Sequence, residues 1–453
     1  MKQTNRREFL SRAAGALAVS GAPLAAKDKK TAAPKRRILG ANDRINVAFV
    51  GTGMRFTGLM RRDFGPRKEA KNDVEFVAAC DVWEPRLKYA QEMTKAPDTY
   101  RDYREIIQRP DVDGVVIAVP DHWHYAIAKE ACLAGKDVYL EKPMTHTVEE
   151  AAKLNDDVLQ TGCVLQVGGS GPNMQLLWKA NEYIRSGKMG KTLWGLISYN
   201  RNSAREGEWD YPIPGIGDKA WPDAEVSPNN LDWNTWLGPA RKRPFSPERY
   251  FRWRKYWEYS GGNATDLLYH RLGMMSTMIG FDFPTRVVGA GGIYVQKDRE
   301  VPDTYMTMIE YPGEYSVNMI SCMGNSQSVP ITVYGNWATL QIVEPDRPSR
   351  LGNTRAVVKA ERAFLNQFKE ANDGKTEVEI QTEEGPGLAD NWLDCMRTRT
   401  KPVYDVLRGY QVMVAIKLGV ESYRTGKVMA FDPVGRSVLR DSPAHKEYVP
   451  KEA

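Results

Sequence analysis

Three ionisable side chains carry the chemistry most directly legible in this chain. Lys142 stands in Glu141-Lys142-Pro143, at the end of a short apolar run. An ammonium there can hydrogen-bond a hydroxyl and stabilise the alkoxide that precedes hydride loss. Pro143 restricts the backbone that aims it. Far along the chain, Gly261-Gly262-Asn263-Ala264-Thr265-Asp266-Leu267-Leu268-Tyr269-His270 sets Asp266 and His270 four apart. On a helix that spacing places both on one face. The imidazole can take a hydroxyl proton near neutral pH, while Asp266 can orient the ring or bind a second hydroxyl. Read singly, each has an ordinary alternative: a solvated strand-end lysine, and a satisfied polar pair at the start of a helix.

A dinucleotide is the natural hydride partner, and the sequence offers it a cradle. Arg44-Ile-Asn-Val-Ala-Phe-Val-Gly51-Thr-Gly53 reads as a buried strand entering a glycine turn. The first glycine permits the turn and the second removes a side chain that would block a pyrophosphate. The following helix N-terminus supplies N–H donors. A third glycine is missing: Phe56 takes its place, with Gly58 two positions on. Asp81 ends the next apolar run and is placed to accept from the adenosine ribose. It would repel a 2′-phosphate, which favours NAD, whereas Arg55 beside the turn leaves NADP open. Val119-Pro120-Asp121-His122-Trp123-His124 closes a later run, at the sheet edge where such folds bind ligands. The expected cofactor-binding set is therefore Gly51, Gly53, Met54, Arg55, Asp81, Pro120, His124, Glu141 and Lys142. No metal is expected, because His-x-His lacks an evident third ligand.

These residues need a scaffold. Apolar runs at 45–50, 74–80, 112–119, 137–140 and 164–167 alternate with helical spacing such as 126–134. The alternation predicts a doubly wound parallel sheet over 44–165. Runs at 193–199, 286–293, 304–311, 315–321 and 330–334, with Pro-Gly or Gly-rich turns, predict a largely antiparallel sheet in the second region, 166–453. The spacing over 409–426 predicts an amphipathic helix packed back onto the body.

In this order the Gly-x-Gly turn, Glu-Lys-Pro and Asp-x-x-x-His resemble the glucose–fructose oxidoreductase, inositol dehydrogenase and rhizopine catabolism (Gfo/Idh/MocA) family over about residues 44–430. The resemblance implies a Rossmann domain followed by an α/β domain whose open, mostly antiparallel sheet often forms subunit contacts, hence a homo-oligomer, dimer or tetramer. It places the family's active-site lysine on Lys142 and its Asp/His pair on Asp266 and His270. It implies an NAD(P)-dependent oxidoreductase acting on CH–OH donors of a sugar, glycoside or polyol. The alternative within the family is a glycosidase or lyase that uses bound NAD without net redox change, although the Gly-rich segment around the catalytic histidine of the family's NAD-dependent glycosidases is not seen here. A non-catalytic ligand-binding protein on the same fold is the alternative from another class.

Seven of the twelve tryptophans fall between 194 and 257 (Trp194, Trp209, Trp221, Trp233, Trp236, Trp253, Trp257). Tyr199, Tyr211, Tyr250 and Tyr256 join them. Aromatic faces beside polar groups suit sugar rings, although most such rings serve packing. Lys179, Arg201, Arg205 and Arg254 leave room for an acidic sugar.

The net charge of +6 is concentrated at the start, where residues 1–37 hold ten Lys/Arg and two Asp/Glu. The remainder, with 53 basic and 55 acidic residues, carries no nucleic-acid footprint. Asn5-Arg6-Arg7-Glu8-Phe9-Leu10 and the Ala/Gly-rich stretch after it resemble a twin-arginine export signal over 1–26, followed by a linker over 27–43. The apolar stretch is too short for a stable membrane span. Five unpaired-looking cysteines argue against a disulfide scaffold. Export to the periplasm through the Tat machinery would limit access to free NAD. The expectation is then a cofactor that stays bound and is restored in each cycle, with net hydrolysis, isomerisation or coupled oxidoreduction.

Overall fold

The computed structural model describes residues 37, 40, 43–203, 209–214, 225–343 and 354–440. The export signal, most of the 27–43 linker, Arg205 and Trp221 lie outside the described residues.

Strands β1 (Ile45–Val50), β2 (Val74–Cys80), β3 (Asp98–Tyr100), β4 (Gly114–Ile117), β5 (Asp137–Glu141) and β6 (Leu165–Gly168) form one sheet in the order β3-β2-β1-β4-β5-β6. Every pairing in it is parallel. The near-continuous apolar runs follow from burial on both faces, as in β4, where all four residues are buried. The order reverses beside β1, so the carboxyl ends of β1 and β4 open a crevice. Phe56, in the place of the third glycine, is buried with its ring 5.2 Å from Phe49 in an edge-to-face pair. It fills the gap between helix and sheet that a glycine would close.

The second sheet contains β7 (Thr192–Ser198), β8 (Arg286–Gly292), β9 (Thr304–Tyr311), β10 (Tyr315–Cys322), β11 (Thr332–Gly335), β12 (Ala338–Val343), β13 (Arg355–Ala360), β14 (Glu377–Ile380), β15 (Met429–Asp432) and β16 (Ser437–Leu439). Their order is β14-β13-β12-β11-β7-β10-β9-β8-β15-β16. β7 and β10 run parallel, and the other described pairs run antiparallel. Helices Gln175–Arg185, Tyr269–Ile279 and Val406–Thr425 pack on one face. Alternating burial along β9 leaves Met306 and Met308 exposed on the other.

Among the described residues, the aromatic segment that follows β7 forms short helices and no strand. Short helices Trp233–Leu237 and Pro247–Phe251 gather Trp233, Trp236, Tyr250, Phe251 and Tyr259 around Trp83. An isolated bridge between Trp83 and Leu231 pins this cluster beside the end of β2.

Candidate active site

A cleft of about 420 Å³ opens at the carboxyl edge of the parallel sheet, between its loops and the aromatic cluster. Gly51, Gly53, Met54, Arg55, Asp81, Pro120, Glu141, Lys142, Asp266 and His270 all line it. One expected residue does not: His124 is buried behind the wall, with Nδ1 2.5 Å from the Pro143 carbonyl and Nε2 2.9 Å from that of Val119. It braces the loops that carry Pro120 and Lys142 and does not line the cleft. His122 is likewise buried, 3.1 Å from the Trp236 carbonyl, and burial lowers its pKa to about 4.

Gly51 sits at φ +84°, and a Cβ there would meet the Ala118 carbonyl oxygen at 2.6 Å. A helix begins at Met54 immediately afterwards, so its first N–H groups lack intrahelical acceptors beside the glycine turn. That arrangement fits a pyrophosphate. At the adenosine end, the Asp81 carboxylate accepts from Thr52 N (2.8 Å), Thr52 Oγ1 (3.1 Å) and Trp83 N (3.0 Å), and from the Tyr250 hydroxyl at 3.4 Å. Asp81 thus shapes the turn as well as lining the cleft. Arg86 lies across the same end, so close to the turn that a Cβ on Gly53 would meet its Nη1 at 3.3 Å. Its guanidinium sits over the rings of Trp83, Tyr250 and Phe251. Arg55 turns away from the glycine loop toward the sheet, donating Nε to Glu141 at 2.6 Å.

At the other end, Lys142 Nζ donates to Asp266 Oδ1 and to the Asp266 main-chain oxygen, both at 2.7 Å. The Lys142–Pro143 peptide is cis. Arg254 Nε reaches the same Oδ1 at 3.0 Å, and Trp209 Nε1 donates to Oδ2 at 3.0 Å. Burial would raise the Asp266 carboxyl, but the charges of Arg254 and Lys142 outweigh it and hold the group well below the usual carboxylate range. Asp266 lies in a widened helical turn, Ala264–Leu268, of a kind frequent at functional sites.

The structure corrects the expected Asp266–His270 partnership. Asp266 is committed to Lys142, Arg254 and Trp209, while His270 Nδ1 lies 3.1 Å from Ser170 Oγ. Burial and the Lys142 charge push the His270 pKa well below its ordinary value, so the ring is neutral at pH 7. Ser170 follows β6 in a Gly168-Gly169-Ser170-Gly171 turn. That glycine-rich strand end was its only sequence signal. Asp121, beneath the site, accepts from Thr265 Oγ1 at 3.1 Å, and burial raises its pKa to about 7.

Trp236 and Trp253 line the cleft with Tyr211 and Tyr250. Other rings serve packing: Trp194 stacks on Tyr334 at 3.9 Å, and Trp257 packs against Tyr423. Lys179 pairs with Glu182 on an exposed helix surface, away from the cleft. Among the described residues, no group of three or more His, Cys, Asp or Glu side chains is arranged to hold a metal ion.

A doubly wound parallel sheet followed by a second α/β domain is the architecture to which sequence comparison assigns this chain. Residues 45–169 match the NAD-binding Rossmann domain, and residues 239–431 the C-terminal α/β domain, of the Gfo/Idh/MocA oxidoreductases. The chain belongs to this family. Among its relatives, glycosyl hydrolase family 109 protein 2 of Shewanella sp. (strain ANA-3) is 27% identical over 326 residues, covering 63% of this chain and 70% of the relative. The WlbA dehydrogenase of Bordetella pertussis, solved with NADH and UDP-GlcNAcA, superposes with a TM-score of 0.60 at 18% identity, covering 86% of this chain and 99% of WlbA. A levoglucosan dehydrogenase solved with NADH and levoglucosan gives a TM-score of 0.60 at 20% identity, covering 86% and 99%. At these identities the two structures establish the shared fold.

Proposed function

We propose that this protein is an NAD(P)-dependent oxidoreductase that moves a hydride to and from a CH–OH carbon of a sugar, glycoside or polyol. The observation that carries the reading is Lys142, its ammonium fixed by Asp266 at the open edge of a cleft whose other end is a glycine cradle. When bound, the dinucleotide accepts and returns the hydride. Lys142 donates to the substrate oxygen and stabilises negative charge there. His270, neutral, takes the hydroxyl proton at Nε2 when its Nδ1–H is directed to Ser170 Oγ. Trp236 and Trp253 supply faces for the ring. Asp81, its oxygens ordered beside Gly51, favours NAD, and Arg86 at the same end leaves NADP open.

The relationship to a glycosyl hydrolase family supports a second reading, in which hydride returns before product leaves and the net reaction is redox-neutral. Export by the twin-arginine route, inferred from Asn5-Arg6-Arg7-Glu8-Phe9-Leu10, favours a tightly held cofactor in either case. A homo-oligomer, dimer or tetramer, is part of the proposal. The sheet face bearing Met306 (49% exposed) and Met308 (37%) supports it, and light scattering measures it.

The test is protein purified without added nucleotide, denatured, with the released dinucleotide identified and quantified by mass spectrometry. Near-stoichiometric NAD(H) or NADP(H) is expected. Free NADH accumulating over many turnovers would overturn the bound-cofactor reading, and failure to bind either dinucleotide would overturn the oxidoreductase reading itself.

A further inference from the structure

Among the described residues, the substrate end of the cleft holds more positive than negative charge. Lys142 and Arg254 line it and share one ionised carboxylate, Asp266. Glu141 is ion-paired with Arg55 at 2.6 Å. Asp121, buried below, is only partly ionised near neutral pH and spends Oδ2 on Thr265. His270 adds no charge.

Arg254 is the telling member. Its guanidinium lies 4.2 Å from the Trp253 ring centroid and 5.7 Å from that of Tyr211. Nε is committed to Asp266, but among the described residues Nη1 and Nη2 hold no hydrogen bond. The side chain is 20% exposed, and that exposure is into the cleft. Arg201 lines the cleft with its guanidinium 4.9 Å from the Tyr199 ring, donating to the Tyr199 hydroxyl at 2.8 Å.

A neutral sugar seated here would desolvate the Arg254 fork and leave its donors facing groups of weak acceptor strength, which is costly. A planar carboxylate matches two parallel N–H donors and offsets the excess charge. We propose that the substrate is an acidic sugar of the uronic-acid class, its carboxylate on the Arg254 Nη groups beside Arg201 and its reacting hydroxyl toward Lys142. This rests on the oxidoreductase reading above and narrows its substrate.

The experiment is calorimetric titration of the full NADH-loaded protein with galacturonate against galactose, glucuronate against glucose, and glucose 6-phosphate. At least one uronate binding ~10-fold or more tightly than its neutral partner is expected, as a charge-assisted bidentate contact implies. Arg254→Met is expected to erase that ratio and Arg254→Lys to keep part of it. The comparison on the unaltered protein decides the matter even where a variant fails to fold. Neutral sugars bound as tightly as the uronates, or a protein that binds NADH but no uronate, overturn the inference while leaving hydride chemistry intact. Tighter binding of the sugar phosphate overturns the carboxylate assignment. Failure to bind NADH instead removes the reading on which the inference rests.

Discussion

Lys142 and Asp266, 124 positions apart, meet through two hydrogen bonds of 2.7 Å, one to the carboxylate and one to the main chain. The contact joins the end of β5 to the widened turn that precedes helix Tyr269–Ile279. It makes the position of the ammonium depend on both domains.

Replacing Lys142 with Met is expected to lower kcat by about 10²–10³, the usual cost of one donor to a developing oxyanion. Dinucleotide binding should survive, since the glycine cradle is untouched. Asp266→Asn should cost less, because the amide oxygen can still accept from Arg254 and Lys142 keeps the main-chain oxygen, while Trp209 loses its acceptor to the amide NH2. Steady-state kinetics beside dinucleotide titration checks both. Wild-type turnover in the Lys142 variant would remove the lysine from the chemistry.

His270 supplies a pH signature. Its pKa is depressed by burial and by Lys142, so its neutral, proton-accepting form persists below the ordinary imidazole value of about 6.5. The acid limb of kcat/KM for alcohol oxidation should therefore lie below pH 6.5. Ser170→Ala should lower kcat about tenfold with KM nearly unchanged, since the hydroxyl orients the ring without touching substrate. An acid limb at or above pH 6.5 would show that another group is the base.

Much of the fold was legible because burial on both faces of the parallel sheet leaves uninterrupted apolar runs. Five of its six strands announce themselves in this way, while β3, a half-buried Asp-Thr-Tyr at the edge, does not. β14 (Glu-Val-Glu-Ile) and β16 (Ser-Val-Leu) are similarly short and only half covered. β12, β13 and β15 also lay beyond the runs read from sequence, each only four to six residues long. The site divides on the same principle. Residues at strand ends, such as Lys142 and Asp81, were placed by periodicity. The roles of Arg254, Trp209 and Ser170 depend on long-range packing that spacing does not encode. His124 shows the converse: its spacing from Pro120 placed it at the right edge, but the helix turned its ring into the protein.

The Arg55–Glu141 pair predicts a stability cycle. Glu141 is 4% exposed at its side chain and Arg55 is 39% exposed. Arg55→Ala strands a buried carboxylate and should cost about 2–3 kcal/mol, toward the lower end because Arg55 is partly solvated. Glu141→Gln should cost less, since the freed guanidinium can turn to water. In urea unfolding the double variant should be less destabilised than the sum of the singles. Additive losses would mean that the pair is not coupled.

Acid should destabilise this protein before it protonates most surface carboxylates. His122, His124, His146 and His270 all have pKa values lowered by burial, His122 to about 4. In each case the unfolded chain binds a proton near pH 6.5 that the folded protein refuses, so stability is complete above that pH and lost as pH falls toward the folded values. His122 alone accounts for about 3 kcal/mol between pH 6.5 and 4. Asp121 acts in the opposite direction. Its pKa is raised to about 7, so its contribution is fully present below its unfolded value and is lost as pH rises through 7. The four histidines outweigh one carboxyl, and the net slope should be a fall in Tm from pH 6.5 to 5. Asp121→Asn should raise Tm at pH 8 more than at pH 5, if Asn keeps the Thr265 hydrogen bond. Thermal unfolding of both proteins across pH 5–8 measures the two slopes, and a flat wild-type profile would show that the buried rings do not stay neutral.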